Sequence, residues 1–268
     1  MKKIILVLSI LSVTPTFATV NSDPQSKPLS TSFQLFLASM TQEMKDYLTI
    51  VDKVEVVDVT DQYPAQPIVN SPLMAQKKQM VSAAAVSALS LQTAEVVATL
   101  EATEVIVDKV INIGSKVWNV VEKGQPVQNY QNVAASALPQ NLADWTQLEN
   151  WKDPQTKVIK VSYKNYFGYE VVNFTYRVTV VAGGSYRGVG QYIRYAAVEP
   201  VAMTTSYLYT FDAKASVDSV YNKGTAADPL AGMILNVRWD VSTVISKGHG
   251  SHQFYLDGAG AIKMAAGQ

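Results

Sequence analysis

The stretch Glu170–Ala182, EVVNFTYRVTVVA, constrains the fold more than any other part of the chain. Val172, Phe174, Tyr176, Val178 and Val180 fall on one side of an extended backbone, and Val171, Asn173, Thr175, Arg177 and Thr179 on the other. Alternation with period 2 is the pattern of a strand with one face in a core and the other toward water. Gly183-Gly184 follows directly and reads as the hairpin turn that ends it.

Most of the chain beyond residue 155 repeats this design. The alternation predicts strands near Lys157–Lys164, Tyr169–Ala182, Arg187–Glu199, Ser206–Tyr221, Gly232–Ser246 and Ser251–Asp257, with a further short one at Ala261–Ala265. On the fourth, Tyr207, Tyr209, Phe211, Ala213, Ala215 and Val217 face inward; on the fifth, Met233, Leu235, Val237, Trp239, Val241 and Ile245 do. Asn222-Lys223-Gly224, Gly248-His249-Gly250 and Asp257-Gly258 supply the turns. Several of these strands exceed the usual length of roughly 5–6 residues, which requires bulges or strong curvature. Short connections with glycine turns between alternating strands point to an antiparallel β-sandwich of about six to seven strands.

The N-terminal half reads differently. Phe33–Val51 places Phe36, Leu37, Met40, Met44, Tyr47, Leu48 and Val51 at helical spacing, and Val54–Thr60 is extended. Pro64, Pro67 and Pro72 exclude a helix through 61–72. From 76 to 121, Val86, Leu89, Val96, Leu100, Val107, Val110, Val117 and Val121 follow a 3–4 seam, which predicts a long helix, although the β-branched residues of 105–121 also suit a strand. Leu142, Trp145, Leu148 and Trp151 suggest a short helix docked on the sheet. The expected architecture is α+β: a signal segment at 1–18, a mainly helical region at 19–124 and a β-sandwich at 125–268.

Residues 1–18 have the layout of a secretory signal. Lys2-Lys3 precede the apolar run Ile4–Val13, and Thr16-Phe17-Ala18 places small residues at the cleavage positions. The chain contains no cysteine, which removes disulfides, thiolate metal sites and a cysteine nucleophile together. Together these imply export to a bacterial periplasm or exterior. Charged residues are 16% of the chain and the formal net charge is zero, so no strong field recruits nucleic acid.

No residue constellation declares a reaction. His249 and His252 are the two histidines; their H-G-S-H spacing with Asp257 nearby offers a metal pair, but two polar residues on an exposed turn account for it more simply. Glu170 and Glu199 would meet at one sheet edge if their strands turned at Gly183-Gly184, the arrangement of a two-carboxylate glycosidase. Tyrosines crowd the β region, and the loop Tyr163, Tyr166, Phe167, Tyr169 with the turn residues Tyr186 and Arg187 forms the ligand-binding patch the sequence favours. The expected function is an exported, non-catalytic binding or structural protein with a protein or glycan partner and no cofactor. The alternatives are a membrane-active protein using the low-charge helix 80–121, and a carbohydrate-active enzyme with paired carboxylates.

Overall fold

The computed structural model describes residues 35, 38–64, 104–127, 134–142, 144–243 and 246–265. The expected signal segment, the proline-rich 65–72 and residues 76–103 of the expected long helix lie outside them. The chain divides into two compact units, Met1–Thr41 and Gln42–Gln268. In the first, the described positions 35, 38 and 39 are helical. All elements below belong to the second.

A helix α1 (Gln42–Thr49) leads into β1 (Val51–Asp58). Then come β2 (Ile106–Gly114), β3 (Val117–Glu122), β4 (Gln125–Pro126), β5 (Ala134–Gln140), β6 (Gln155–Asn165) and β7 (Glu170–Tyr186). The last five are β8 (Val189–Thr205), β9 (Thr210–Asn222), β10 (Ala231–Ser242), β11 (Lys247–Asp257) and β12 (Ile262–Met264). They build two six-stranded sheets, ordered β1-β6-β7-β8-β5-β2 and β12-β11-β10-β9-β3-β4. Neighbouring strands within each sheet pair antiparallel.

The inward row of β7 is as the alternation requires: Val172, Phe174, Tyr176, Val178 and Val180 are all fully buried. They meet the other sheet directly. Phe174 lies 5.0 Å from Phe211 and 6.2 Å from Trp239, and Tyr176 meets Phe254 edge-on at 6.2 Å. Met233, Leu235, Val237, Trp239 and Val241 of β10 are buried opposite them, as expected. The outer row of β7 departs from expectation. Thr175 and Thr179 are buried and Asn173 and Arg177 half-buried, and Ala134, Val181, Tyr195 and Ala197 form a second, smaller apolar cluster. This face is not the open, wet surface that its polar residues imply.

Strand length is resolved by bulges. β7 and β8 each run 17 residues, and their register shifts at four places, two of them beside Gly184. Gly183-Gly184 is therefore not a turn. The chain continues to Tyr186, which pairs with Val189, and the reversal is at Arg187-Gly188, both with positive φ (52° and 79°), the tight hairpin geometry that matches strand twist. Gly184 is there for space, because a Cβ would stand 2.5 Å from the Trp151 ring. Likewise Gly248-His249-Gly250 is not a turn but part of β11, opposite Val241, Asp240 and Trp239. A Cβ on Gly250 would fall 2.5 Å from Trp239, whose ring is packed in the core. Gly250→Ala is expected to destabilise the fold by about 1–3 kcal/mol through overpacking, read as a lower urea midpoint with unchanged slope.

The helical expectation for the N-terminal half is corrected where it is described. Residues 106–114 and 117–122 are β2 and β3 rather than the end of a helix 76–121. Val105, Ile106, Val107, Val110, Ile111, Ile113, Val117, Val120 and Val121 lose side-chain freedom in a helix, and the sheet edges formed by β5 and β9 offer ladders instead. Gly114, at φ 111°, interrupts any helix there. β1, β2 and β3 thus join strands from beyond residue 125, so the sheets do not respect the expected division at 124. Helix α1 stops at Thr49, and Val51 already belongs to β1. In place of a helix at 141–151 stands a single 3-10 turn, Trp145–Gln147, capped by the Asp144 carboxylate on the Thr146 N–H. Its anchors still dock: Leu142 and Leu148 are buried, and Trp145 and Trp151 pack on the core.

Candidate functional site

The sequence-derived patch is divided by the fold. Tyr163 is an inward residue of β6, only 5% exposed, and its hydroxyl accepts a hydrogen bond from the Trp239 indole N–H at 2.7 Å. Tyr166, Phe167 and Tyr169 stand at the β6–β7 turn, with 59%, 52% and 68% of their surface exposed. Tyr186 and Arg187 lie at the opposite end of β7, where the guanidinium sits 5.2 Å from the Tyr186 ring centre. The six residues therefore occupy three places.

One end does gather aromatics. β1 pairs with β6 so that Val51 faces Asn165, which brings α1 alongside the β6–β7 turn. Tyr47 of α1 then lies 5.1 Å from Tyr166 and 6.1 Å from Phe167, which are 6.4 Å from each other. All three rings are partly open to solvent. The turn is held rigidly, because the Asn165 side-chain oxygen accepts from the N–H groups of both Phe167 and Tyr169. Tyr207, expected inward, is 76% exposed in the β8–β9 connection, whose Ser206 N–H bonds the Val171 carbonyl at the same sheet end. Tyr47 was missed as a surface residue because at helical spacing it reads as part of the stripe α1 would bury. Nothing local in the sequence places it beside Tyr166.

Beside this end, between the sheets, is a cleft of about 220 Å³. Val51 and Val54 of β1, Tyr163 of β6, Tyr209, Val241 of β10 and His249 of β11 line it. Tyr209 ties it to α1 by donating its hydroxyl hydrogen to the Leu48 carbonyl at 3.0 Å. Deeper in the core the Tyr176 hydroxyl and His252 Nδ1 share a 2.6 Å hydrogen bond, with the His252 ring edge-on to Trp239 at 4.8 Å. Burial lowers the His252 pKa to about 4 and raises those of Tyr176 and Tyr163, so a neutral imidazole meets a protonated phenol.

Neither the carboxylate pair nor the histidine pair has the geometry its chemistry needs. Glu199 faces Arg177, seven residues along β7 from Glu170, a separation of roughly 20 Å at strand rise. Carboxylate pairs in glycosidases stand about 5–9.5 Å apart. Glu170 instead pairs with Lys160 at 3.0 Å, and Glu199 accepts from the Tyr195 hydroxyl at 3.2 Å. The shift comes from the true hairpin at Arg187-Gly188. His249 and His252 sit three apart on one strand and so point to opposite faces, His249 exposed and His252 buried. Asp257 is engaged by Lys223 at 2.8 Å. Among the described residues no group of three or more His, Cys, Asp or Glu side chains is placed to hold a metal ion. Among them, too, no helix is long and apolar enough to cross a membrane.

No protein-family model, curated protein or solved structure matches this chain.

Proposed function

We propose that the chain is an exported, non-catalytic binding or structural protein of the bacterial cell envelope or exterior, and that it engages a protein or glycan through the aromatic end of its sandwich. The observation that carries this reading is the exposed aromatic group formed by Tyr166 and Phe167, on a turn that Asn165 locks, and Tyr47 of α1 beside them. Tyrosine and phenylalanine rings held open to solvent contribute large contact area at small entropic cost, and the tyrosine hydroxyls add polar contacts. Exposed aromatics on a rigid turn have no role in the core that the rest of the sequence builds. Support for export is the Lys2-Lys3, Ile4–Val13, Thr16-Phe17-Ala18 layout and the absence of cysteine.

The test is retention of the chain lacking residues 1–18 on isolated cell-envelope material, wild type against the double variant Tyr166→Ser, Phe167→Ser. Two aromatic anchors at an interface centre are each expected to contribute about 1–2 kcal/mol, so retention should fall by at least roughly tenfold while the thermal midpoint stays put. Equal retention by the two proteins would sink the reading.

A further inference from the structure

We propose that the cleft between the sheets is a binding site for a small, uncharged, mainly apolar molecule carrying one hydrogen-bond-accepting oxygen, with Tyr163 as the donor that orients it. This goes beyond the reading above and does not rest on it, since the exposed rings of Tyr166 and Phe167 do not line the cleft.

The walls are largely hydrocarbon, Val51 and Val54 on one side, Val241 and the Tyr209 ring on the other, while the polar residues Thr243, Ser246 and His249 also line the cleft. Of the two buried tyrosines in the lining, Tyr209 already donates its hydroxyl hydrogen to the Leu48 carbonyl, which leaves Tyr163 as the buried donor. Tyr163 is only 5% exposed, and its oxygen is already an acceptor for the Trp239 indole N–H. That bond leaves the hydroxyl hydrogen, which is given no acceptor among the described residues. A phenol whose acceptor role is filled and whose donor role is open selects an acceptor: a carbonyl, ether or hydroxyl oxygen. Burial holds this phenol in its neutral form, so it donates across the ordinary pH range. A charged ligand finds no buried counter-ion in this lining, and a purely hydrocarbon one leaves the donor unmet. At about 220 Å³ the cleft is smaller than the roughly 300–1,000 Å³ of drug-sized sites, which limits the occupant to a single ring or a short branched chain. His249 and the exposed edge residue Val54 leave the cleft open at the surface, so entry needs no opening of the sandwich.

Acetophenone and isopropylbenzene are nearly the same shape and differ in the acceptor. Each is titrated into the chain lacking residues 1–18 while the Trp239 indole N–H resonance is followed, because that N–H bonds the oxygen whose hydrogen the ligand would take. The expected result is saturable binding of acetophenone, about tenfold tighter than isopropylbenzene, the factor one hydrogen bond supplies. Tyr163→Phe should erase the preference. Val54→Trp, a change at a half-exposed position that keeps the core intact, should block both probes. Tyr163→Phe leaves the Trp239 N–H without its acceptor; if it does not fold, Val54→Trp still decides. The proposal is overturned if neither probe saturates at millimolar concentration, as for a cleft that holds only water. It is also overturned if Tyr163→Phe keeps the preference, or if Val54→Trp binds acetophenone as wild type does.

Discussion

Phe174→Ala is expected to lower the unfolding free energy by about 3–5 kcal/mol, the usual cost of deleting a fully buried aromatic ring. Phe174 has no exposed surface and sits where the two sheets meet. Its ring lies 4.9 Å from Tyr176 on its own strand, and 5.0 Å and 6.2 Å from Phe211 and Trp239 across the interface. Removing it withdraws packing from both sheets at once. The neighbours cannot simply collapse inward, because Tyr176 is tied to His252 and Trp239 to Tyr163 by hydrogen bonds. For a domain of this size the change corresponds to a thermal midpoint lower by roughly 6–20 °C. Val57→Ala, at a position 48% exposed on β1, is the control and should cost less than about 0.5 kcal/mol. Similar losses for the two variants would mean that the sheets do not meet at Phe174.

Acid should weaken the fold through His252 before any carboxylate contributes. Burial lowers the His252 pKa to about 4, against about 6.5 in an unfolded chain. Between those values the unfolded chain holds the extra proton and the folded chain does not, so stability falls as pH drops from 6.5 to 4. Above 6.5 the histidine is neutral in both states and the stability is fully present; below 4 the loss is complete. The full difference is on the order of 3 kcal/mol. The groups facing His252 are the Tyr176 phenol and the Trp239 ring, neither of which supplies a counter-charge to the imidazolium. Urea unfolding at pH 7.5, 5.5 and 4 should show the decline in wild type, and His252→Gln should remove most of the slope. A slope unchanged in the variant would place the acid sensitivity elsewhere.

Beside Phe174 the sandwich core holds one polar ladder, to which the acid effect traces: Tyr176 to His252, His252 against Trp239, Trp239 to Tyr163. Its members come from β7, β11, β10 and β6. The periodicity of β7 and β10 marks Tyr176 and Trp239 as inward, whereas Tyr163 read as part of the exposed aromatic loop, and no spacing in the chain shows that the four touch. His252 read as a turn residue because the stretch just before it, Gly248-His249-Gly250, has the composition of a turn. Those glycines make room for Val241 and the Trp239 ring, and a glycine required by a turn cannot be told from one required by a neighbour until the neighbour is in place. The same ambiguity put the β7–β8 turn at Gly183-Gly184, and with it the imagined meeting of Glu170 and Glu199.

What the sequence determined by itself is local. The alternation in 157–265, the bulges demanded by overlong strands, the reversal beyond Asn222 and the inward rows of β7 and β10 follow from side chains alternating sides along an extended backbone, which is a property of single strands. The tertiary structure decided which apolar segments between 104 and 122 became strands, since valine and isoleucine there satisfy either period until β5 and β9 provide hydrogen-bonding edges. It decided that the polar row of β7 is largely enclosed. It also assembled the site. Tyr47 meets Tyr166 and Val54 meets Tyr163 because β1 pairs with β6, and Tyr163 shares a cleft with Val241 because two sheets close over one core. Contacts between residues about a hundred positions apart are set by which strands pair and which faces pack, and that choice is made by the whole chain at once.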